Sequence, residues 1–351
     1  MRTLASIQVV NEIRPIVGAD AIEAIRVLGW WVVVKKNEFQ LGQPLVYCEI
    51  DSLLPERSEF EFLRKSCFKP EIMHLGEVYR PAGFRIKTIR LRGQVSQGLC
   101  LPLTVLPPGT PTDVGTDVTD VLGITKYEVP DFSEVGDGSS TFPGFLVKTD
   151  ETRVQVLEQL LQELAGREFL MTEKLDGTSF TCFWHQDEFG VCSRNRQIDA
   201  TNLEQPHARI ANQLGLAEKL KWVKEKYGFS PAIQGELVGS GIQGNKYRMD
   251  RRQLFVFNLF NIDQAELVPH AFAMQLLQEL ELTSVPSLGT LVLNHSVDEL
   301  LNLSVGKSTL NPNVEREGIV FRPETEEYCQ RLQGRLSFKA INPQFLLKYD
   351  E

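Results

Sequence analysis

A lysine beside a glycine-containing turn is the first candidate for chemistry. The segment Glu173-Lys174-Leu175-Asp176-Gly177-Thr178-Ser179 follows an apolar stretch that predicts a strand over residues 168–173. A lysine at such a junction can face a pocket, and it becomes a nucleophile when desolvation or nearby positive charge removes its proton. Phosphorus is a suitable electrophile for that amine. Taken alone, however, Lys-x-Asp-Gly is more typical of a surface hairpin turn with a solvated lysine.

Four further segments follow this lysine in a fixed order. They are Arg194-Asn195, Gln234-Gly235-Glu236-Leu237-Val238-Gly239, Glu317-Gly318-Ile319-Val320-Phe321 and Ser337-Phe338-Lys339. Chance agreement in type and order is improbable, so the segments favour a functional site at Lys174 over a surface turn with a solvated lysine. Transfer to phosphorus develops charge on phosphate oxygens, which requires cations and hard oxygen ligands for a divalent metal.

In this order the segments resemble the motifs of the covalent nucleotidyltransferase superfamily, which includes DNA ligases, RNA ligases and messenger-RNA capping enzymes. The resemblance spans residues 142–349. It implies that Lys174 forms a phosphoramidate with a nucleotide, that Asp176 and Gly177 complete its motif, and that Glu173 belongs to the nucleotide contacts.

The resemblance also assigns the later motifs. It places Arg194 and Asn195 at the ribose and phosphate, and Glu236 at the ribose hydroxyl. Phe257 matches the aromatic residue that stacks on the nucleobase, although a buried core phenylalanine explains it equally well. Lys339 matches the cation that holds the α-phosphate.

The metal is expected to be Mg²⁺ or Mn²⁺. The resemblance places Glu317 near it, and Asp176 and Glu236 could also hold it, directly or through water. The implied catalytic residues are therefore Lys174, Asp176, Glu317 and Lys339.

Two departures from the superfamily pattern affect the site. Many relatives carry Lys-x-Lys in the last motif, whereas Ser337 stands first here, so the second phosphate-binding cation is open. Lys348 is one candidate, although a lysine near a terminus is more often solvated. Gln234 replaces the acidic residue that often precedes the glycine of its motif.

The elements before the lysine distinguish between superfamily members. DNA ligases and capping enzymes carry a small barrel after the last motif, whereas only twelve residues follow Lys339. The arrangement resembles the deinococcal-type RNA ligases, which join an N-terminal OB-like barrel to a minimal adenylation domain. It implies ATP as cofactor and, as partner, RNA or a nicked duplex whose 3′-OH end is RNA.

Two basic residues before the lysine could orient the leaving phosphates of ATP. Lys148 and Arg153 lie near a helix that Thr149 or Asp150 is predicted to cap, with Arg153 on its first turn. A bidentate guanidinium suits phosphate, but ordinary solvated charges at a helix start fit equally well.

Short apolar stretches separated by turn residues fill the first hundred positions and predict a small OB-like β-barrel. Residues 84–92 alternate apolar and basic side chains with one slip of phase, which predicts a single bulged strand. Its basic residues could follow a nucleic-acid backbone, or they could form a solvated face. They are Arg85, Lys87, Arg90 and Arg92.

A Pro-, Gly- and Ser-rich region separates this barrel from the rest. Beyond it, strands alternate with helices, including one helix near residues 208–227, as in a mixed α+β domain. We therefore predict an α+β fold with an OB-like domain at 1–122, a linker at 123–141, and at 142–351 an adenylation domain of largely antiparallel sheets with flanking helices.

Composition limits the class of protein. The 351 residues are 42% hydrophobic with a formal charge of −9, so nucleic-acid contact must come from local basic patches. The six cysteines show no metal or redox spacing.

No apolar run approaches the length of a membrane span and no secretory signal is present, so the expected compartment is the cytoplasm. The oligomeric state is not specified.

Two alternative functions remain open from the sequence. One is another enzyme of the same superfamily, an ATP-dependent DNA ligase or a capping-type guanylyltransferase, which nucleotide preference would separate. The other is a non-catalytic nucleic-acid-binding protein with an OB-like domain and a decayed transferase. The intact set Lys174, Glu236, Glu317 and Lys339 argues against decay.

Overall fold

A computed structural model of the chain describes residues 3–74, 76–128 and 140–350. The chain forms two compact units, one of Met1–Pro130, Gln155–Glu158 and Pro343–Glu351 and one of Asp131–Val154 and Gln159–Asn342. The predicted linker at 123–141 lies partly outside the described residues.

The elements up to residue 128 are short strands and one short helix. They are β1 Ala5–Val9, β2 Glu12–Pro15, β3 Ile22–Val27, β4 Trp30–Lys35, β5 Pro44–Cys48, β6 Ser52–Leu54, α1 Arg64–Cys67, β7 Phe68–Lys69, β8 Ile72–His74, β9 Glu77–Arg80, β10 Gly83–Arg85, β11 Ile89–Leu91, β12 Gln94–Ser96, β13 Leu99–Leu101 and β14 Thr125–Lys126. They form the sheets β1-β5-β13, β14-β6-β10-β7 and β2-β3-β4 and two hairpins, β8-β9 and β11-β12.

A buried tyrosine shows how closely the strands of the first unit pack. Tyr47 is almost fully buried on β5, and its hydroxyl donates a hydrogen bond of 2.9 Å to the carbonyl of Gln97. Gly98 follows with φ +109°, and a Cβ there would lie 2.4 Å from a Tyr47 ring carbon. Only glycine satisfies both the backbone angle and the contact.

Residues 84–92 do not form the predicted single strand. β10 pairs with β6 and β7, whereas β11 pairs only with β12, so the chain changes sheets between them. Arg92 and Gly93 form the two-residue turn of the β11-β12 hairpin, with φ values of 48° and 83°. Positive φ at both turn positions matches the twist of a two-residue hairpin.

From residue 140 onward, the described residues form longer strands and six α-helices. They are β15 Ser140–Thr141, β16 Thr152–Arg153, α2 Glu158–Glu163, β17 Glu168–Lys174, β18 Thr178–His185, β19 Glu188–Cys192, β20 Arg196–Ile198, α3 Pro206–Gln213, α4 Leu216–Tyr227, β21 Pro231–Val238, β22 Gln253–Asn261, β23 Glu266–Leu267, α5 His270–Glu279, β24 Ser287–Val292, α6 Val297–Ser304, β25 Gly318–Arg322, β26 Tyr328–Cys329, β27 Gly334–Arg335, β28 Phe338–Ile341 and α7 Pro343–Tyr349.

Two sheets organise the second unit. A seven-stranded sheet has the order β15-β20-β19-β18-β21-β22-β23, and a five-stranded sheet has the order β16-β28-β25-β17-β24. The parallel pair β16-β28 departs from the antiparallel pairing of the other strands in these sheets. The α+β class with largely antiparallel sheets is confirmed.

The core of the second unit lies between the seven-stranded sheet and its helices. Phe180 and Ile233 from the sheet pack in one cluster with Leu220 and Val223 of α4 and Leu276 of α5, all almost fully buried. Buried positions recur at three- and four-residue spacing in both helices, at Leu216, Leu220 and Val223 in α4 and at Ala273, Leu276 and Leu280 in α5, which gives each helix one apolar face.

Two helix predictions were wrong. Thr152 and Arg153 form β16 and are followed by a 3-10 turn at 154–156, so the helix that Thr149 or Asp150 was predicted to cap begins only at Glu158. Pairing with β28 outweighs the local helical spacing. The helix near 208–227 is two helices, α3 and α4, because Gly215 between them adopts φ 61°.

In the described residues, no helix combines the length and apolar character that crossing a bilayer requires. All six cysteines are free thiols, and four of them are buried.

The aromatic layer beneath the five-stranded sheet generates a stability prediction. Phe338 is fully buried between Phe321 and Phe169, with ring centroids 5.2 and 5.3 Å away. We expect Phe338→Ala to lower the free energy of unfolding by about 3–5 kcal/mol through lost burial and a residual cavity. Urea unfolding followed by circular dichroism measures this.

Val292→Ala is the control, because Val292 on β24 of the same sheet is 52% exposed. Its effect should stay within about 0.5 kcal/mol. Equal losses for both variants would contradict the view that this layer holds the sheet together.

Candidate active site

One face of the five-stranded sheet carries three of the predicted residues. On β17, Lys174 lies two residues after Thr172, which is opposite Val320 on β25. Val320 is opposite Lys339 on β28, and Lys339 is opposite Arg153 on β16. Directly opposed residues, and residues two apart on one strand, project from the same face. Lys174, Lys339 and Arg153 therefore share a face.

Arg153 reaches this face from a strand, whereas the sequence placed it on the first turn of a helix. Its register partner on β28 is Lys339 itself. A lysine and an arginine side by side form a cationic pair suited to phosphate oxygens. The contact of Arg153 with leaving phosphates stays a prediction, although the helix on which it was placed was wrong.

Glu173 lies on the opposite face, because side chains alternate along β17. It is 1% exposed, and its Oε2 accepts a hydrogen bond of 2.8 Å from the backbone amide of Thr309. Its side chain therefore points away from that of Lys174. Its part in nucleotide binding stays a prediction.

The Lys174 amine makes an ion pair at the centre of the site. Its Nζ lies 2.6 Å from Oε1 of Glu317. Burial lowers the pKa of Lys174, but the charges of Glu317, Glu236 and Asp176 more than offset it, so the net shift is upward. The amine is therefore protonated in this arrangement, and it becomes a nucleophile only when another cation neutralises those carboxylates.

Glu317 is fixed immediately before β25 and is 9% exposed. Its carbonyl accepts a hydrogen bond of 2.8 Å from the amide of Asn342. Its Oε2 is buried and accepts no hydrogen bond from the described residues. A buried carboxylate oxygen without a donor is costly unless a ligand satisfies it.

Glu236 reaches the site from the seven-stranded sheet. It lies on β21 opposite Ser179 of β18. Burial raises its pKa to about 8, helped by Glu317 and Asp176 and opposed by Lys174. Glu236 and Glu317 thus come from different sheets to the same amine.

Asp176 is held by two neighbours that the sequence reasoning missed. Its Oδ2 lies 2.9 Å from Nζ of Lys246, and its backbone amide donates a hydrogen bond of 2.8 Å to the hydroxyl of Tyr247. Lys246 is 12% exposed as a side chain and Tyr247 is 2% exposed. Both therefore position the turn that follows Lys174.

The loop after β21 carries Lys246 and Tyr247 and has an unusual backbone conformation. Several of its residues have positive φ, three of them non-glycine. They are Gly239, Gly241, Gln243, Gly244, Asn245 and Arg248. Such conformations cost energy and persist where surrounding contacts impose them. The glycine-rich run directly after the Glu236 motif was the available sequence signal.

Gly177 is required by a close approach between segments. A Cβ there would lie 2.4 Å from the carbonyl oxygen of Leu237 and 2.6 Å from a Val238 methyl. Without a side chain, the Asp176 turn packs directly against β21, and this brings Lys174 and Glu236 together.

Arg194 and Asn195 contact the segment that contains Lys148. Arg194 makes two hydrogen bonds, of 2.8 and 3.0 Å, to the carboxylate of Asp150. The Lys148 amine donates a hydrogen bond of 3.0 Å to Oδ1 of Asn195. Arg194 remains 45% exposed, so its guanidinium borders solvent. The predicted contacts of Lys148, Arg194 and Asn195 with nucleotide stay predictions.

Phe257 is the extra residue of a β-bulge. Gln234 on β21 pairs with Asn258 and Gly235 pairs with Val256, so Phe257 has no register partner. Phe257 is only partly buried, whereas Val256 and Asn258 on either side are at most 5% exposed. Bulges re-aim side chains next to active sites. This arrangement supports a stacking ring over an ordinary core phenylalanine.

The pKa of Lys339 is shifted in the opposite direction from that of Lys174. Burial, together with the charges of Lys174 and Arg153, lowers the pKa of Lys339 to about 7 against the opposing charges of Glu151 and Asp150. Two residues earlier, Ser337 donates a hydrogen bond of 2.9 Å to Glu151. The position where many relatives carry a second lysine therefore binds a carboxylate here.

The predicted metal ligands fit a hydrated cation. Within residues 3–74, 76–128 and 140–350, no group of three or more His, Cys, Asp or Glu side chains has the geometry to enclose a metal. Asp176, Glu236 and Glu317 nevertheless all act on the Lys174 amine. Mg²⁺ usually keeps several waters and uses one or two carboxylates, so these residues suit it without a protein cage.

The basic residues of the first unit do not form one continuous face. Arg85 lies 4.0 Å from the Asp51 carboxylate and 4.2 Å from the Tyr127 ring centroid, with 11% of its side chain exposed. Lys87 pairs with Asp350 on the same unit. The remaining two, Arg90 and Arg92, are exposed around the β11-β12 hairpin.

Lys348, the candidate second phosphate cation, lies on α7, which belongs to the first unit. Its amine is 5.5 Å from the ring centroid of Tyr349. Its contact with phosphate stays a prediction.

Comparisons with known proteins match both halves of this architecture. A family model of an OB-fold domain matches residues 4–103, and a family model named RNA ligase matches residues 167–341. No curated protein sequence matches the chain.

Solved structures of Naegleria gruberi RNA ligase are similar over the whole length. An apo form of a substituted enzyme has 37% identity and a TM-score of 0.87, covering 99% of this chain and 98% of that one. The form with pyrophosphate has 37% identity and a TM-score of 0.87, covering 100% and 99%. A substituted form with ATP and manganese has 37% identity and a TM-score of 0.86, covering 99% of each chain.

The depressed pKa of Lys339 generates a prediction about stability and pH. With a pKa of about 7 in the folded protein, against an ordinary value near 10.4, the unfolded chain binds more protons between these limits. Stability therefore rises with pH in that window, and the cost of the charged amine is full below pH 7. Lys339→Met should stabilise the protein by on the order of 2 kcal/mol at pH 6.

This gain should fade as the pH rises towards 10. Urea unfolding at pH 6, 8 and 10 measures it, with Lys221→Met, at an exposed lysine of α4, as the control. A gain that does not change with pH would show that packing of the methionine, rather than removal of charge, is responsible.

Proposed function

Because the chain belongs to the RNA ligase family and is an ATP-dependent RNA ligase, we propose that Lys174 carries the adenylate. The observation that supports this is the amine of Lys174 set 2.6 Å from Glu317, on the sheet face that also bears Lys339 and Arg153. An amine, a carboxylate to accept its proton and two cations for phosphate are the groups that the transfer requires.

In the first step, Nζ of Lys174 attacks the α-phosphorus of ATP. The N–P bond forms, the bond from the α-phosphorus to the bridging oxygen breaks, and pyrophosphate leaves with the electron pair. The protonated amine first loses one proton to solvent, and the second proton, released as the N–P bond forms, passes to the Glu317 carboxylate. Lys339 holds the α-phosphate, and Arg153 orients the leaving phosphates, with Lys148 and Lys348 as further candidates.

The rest of the nucleotide is held by the seven-stranded sheet and its connections. Phe257 stacks on the adenine, Glu236 binds a ribose hydroxyl, and Arg194 and Asn195 contact the ribose and phosphate. Gly177 allows the close approach on which the pocket depends. Glu173 supports the motif from the opposite face of β17.

Asp176, Glu236 and Glu317 are proposed to hold Mg²⁺ or Mn²⁺, directly or through water. When bound, the metal neutralises the carboxylates and polarises phosphate, which favours the neutral amine. The buried, unsatisfied Oε2 of Glu317 supports its part in this set.

We propose that the adenylate then moves to a 5′-phosphate end and that an adjoining 3′-OH displaces AMP. RNA is the substrate class of the family, and the finer proposal is a nicked duplex whose 3′-OH strand is RNA, as in RNA repair. Each step is a displacement at phosphorus, so one pocket serves all three. The RNA ligase matches argue against the DNA ligase and capping alternatives.

The domains are proposed to divide this work. Residues 1–122 form the OB-like domain that binds nucleic acid, 123–141 a linker and 142–351 the adenylation domain. A cytoplasmic location is proposed with them.

A covalent adduct on Lys174 is the decisive prediction. The purified protein, freed of bound adenylate, is incubated with α-labelled ATP or GTP and Mg²⁺ or Mn²⁺. We expect acid-labile label from ATP on the denatured protein, because a phosphoramidate is acid-labile. Lys174→Ala should carry none, since it lacks the amine.

Lys226→Ala is the matched control, because Lys226 is an exposed lysine of α4 paired with Glu279. It should label like the unchanged protein. Absence of label from either nucleotide would favour the non-catalytic binding protein, and label from GTP would favour a guanylyltransferase. Nicks that differ only in the 3′-terminal sugar then test the RNA preference.

The two exposed arginines of the hairpin generate a binding prediction. Arg90→Ala and Arg92→Ala should each weaken binding to a nicked duplex and reduce the slope of log affinity against log salt by about 1, as expected for one lost phosphate contact. Fluorescence anisotropy across a salt series measures this. Arg85→Ala should instead lower stability, because Arg85 is mostly buried. An unchanged salt slope in both hairpin variants would mean that neither arginine contacts phosphate.

A further inference from the structure

The bulge that presents Phe257 is stabilised by one arginine from the other sheet. Arg322 ends β25, and its Nη1 donates hydrogen bonds of 3.1 Å to the carbonyl of Phe257 and 2.6 Å to Oδ1 of Asn258. The guanidinium carbon lies 5.6 Å from the Phe257 ring centroid. A bulge interrupts the hydrogen-bond ladder, so a carbonyl left by it needs another donor.

Two further groups fix the guanidinium. Its Nη2 lies 2.5 Å from Oε1 of Glu151, and its Nε donates to the hydroxyl of Ser337 at 3.3 Å. Ser337 in turn donates to the same Glu151 oxygen at 2.9 Å. The side chain of Glu151 is 8% exposed. Burial raises the pKa of Glu151, but Arg322 more than offsets this and keeps it ionised.

The bulge is also held from β21. The Asn258 amide donates a hydrogen bond of 2.9 Å to Oε1 of Gln234, which is fully buried. The Gln234 amide donates a hydrogen bond of 2.8 Å to the carbonyl of Val147. Gln234 therefore has a positioning role that an acidic residue could not fill, since a carboxylate donates no hydrogen bond to Val147.

The same groups line one pocket of the second unit. Phe257, Arg322, Glu151 and Ser337 border it together with Thr172, which lies two residues before Lys174 on β17. Arg322 is opposite Leu170 on that strand, and Lys174 is opposite Gly318, so Arg322 shares the sheet face of Lys174 but lies four positions away along each strand. At that distance Arg322 contacts Phe257, the proposed base-stacking residue, rather than the reacting phosphate.

We propose that Arg322 is a positioning residue, which acts through the bulge carbonyl to set the Phe257 ring at the height and angle that binding of the nucleobase requires. Glu151 and Ser337 orient its guanidinium, and Asn258 and Gln234 complete the support. This rests on the proposed function of Phe257. It predicts that Arg322 governs ATP affinity and leaves the chemistry at Lys174 largely untouched.

Single-turnover adenylation of the full chain at varied ATP concentration separates these effects. Arg322→Met should raise the ATP concentration for half-maximal rate by about tenfold, the scale of one lost base stack. The maximal rate should fall by less than about threefold, because uniform binding rather than transition-state stabilisation is lost. Arg331→Met is the control, since Arg331 makes comparable carboxylate contacts with Glu163 while exposed.

A double-mutant cycle shows whether Arg322 acts through Phe257. If it does, Arg322→Met combined with Phe257→Ala should bind ATP no more weakly than Phe257→Ala alone, because coupled residues are not additive. Fully additive losses would overturn the proposal, and so would an unchanged ATP requirement in Arg322→Met.

Ser337→Ala keeps the proposal testable if Arg322→Met unfolds. It removes hydrogen bonds to Arg322 and Glu151 and should raise the ATP requirement by a smaller factor with the maximal rate preserved. A fall in maximal rate alone would overturn the proposal. If the unchanged protein forms no adduct, the proposed function itself fails, whereas normal adduct formation with insensitive variants refutes only the role of Arg322.

Discussion

The ion pair between Lys174 and Glu317 depends on the register of two neighbouring strands. Lys174 is opposite Gly318, so the residue before that glycine places its carboxylate 2.6 Å from the amine. A slip of one residue would turn the lysine to the opposite face of the sheet. The buried aromatic side chains of Phe321 and Phe338 on that face oppose such a slip. The hydrophobic layer therefore specifies the position of Lys174, the proposed nucleophile.

Two lysines on one sheet face have pKa values that are shifted in opposite directions. Three carboxylates hold Lys174 protonated, while burial and neighbouring cations lower the pKa of Lys339 to about 7. Each lysine depends on charges contributed by other strands, so neither state follows from its own segment. In the proposed function, an incoming polyphosphate would add negative charge beside Lys339, and a metal would add positive charge beside Lys174. Both changes move the lysines towards the states that the transfer needs.

The sequence predicted the chemistry better than the supporting geometry. Ordered motifs pointed to Lys174 and Glu317, which the structure brings within 2.6 Å of each other. Lys246 and Arg322 were missed, since each acts on another residue from a distant segment and has no signature of its own. Arg153 was placed on a helix because its apolar neighbours have helical spacing, and pairing with β28 is not visible locally. Properties set by tertiary pairing escape single-sequence reasoning.

The C-terminal helix α7 groups with the first unit although it follows the whole second unit in the chain. Lys87 and Arg90 make contacts with Asp350 and Gln344 of that last segment. During synthesis from the N-terminus, these contacts cannot form until residues 343–350 have left the ribosome. The first unit begins earlier in the chain but is completed later, and a chain interrupted before residue 343 would hold all the strands of the two large sheets while its first unit still lacked α7.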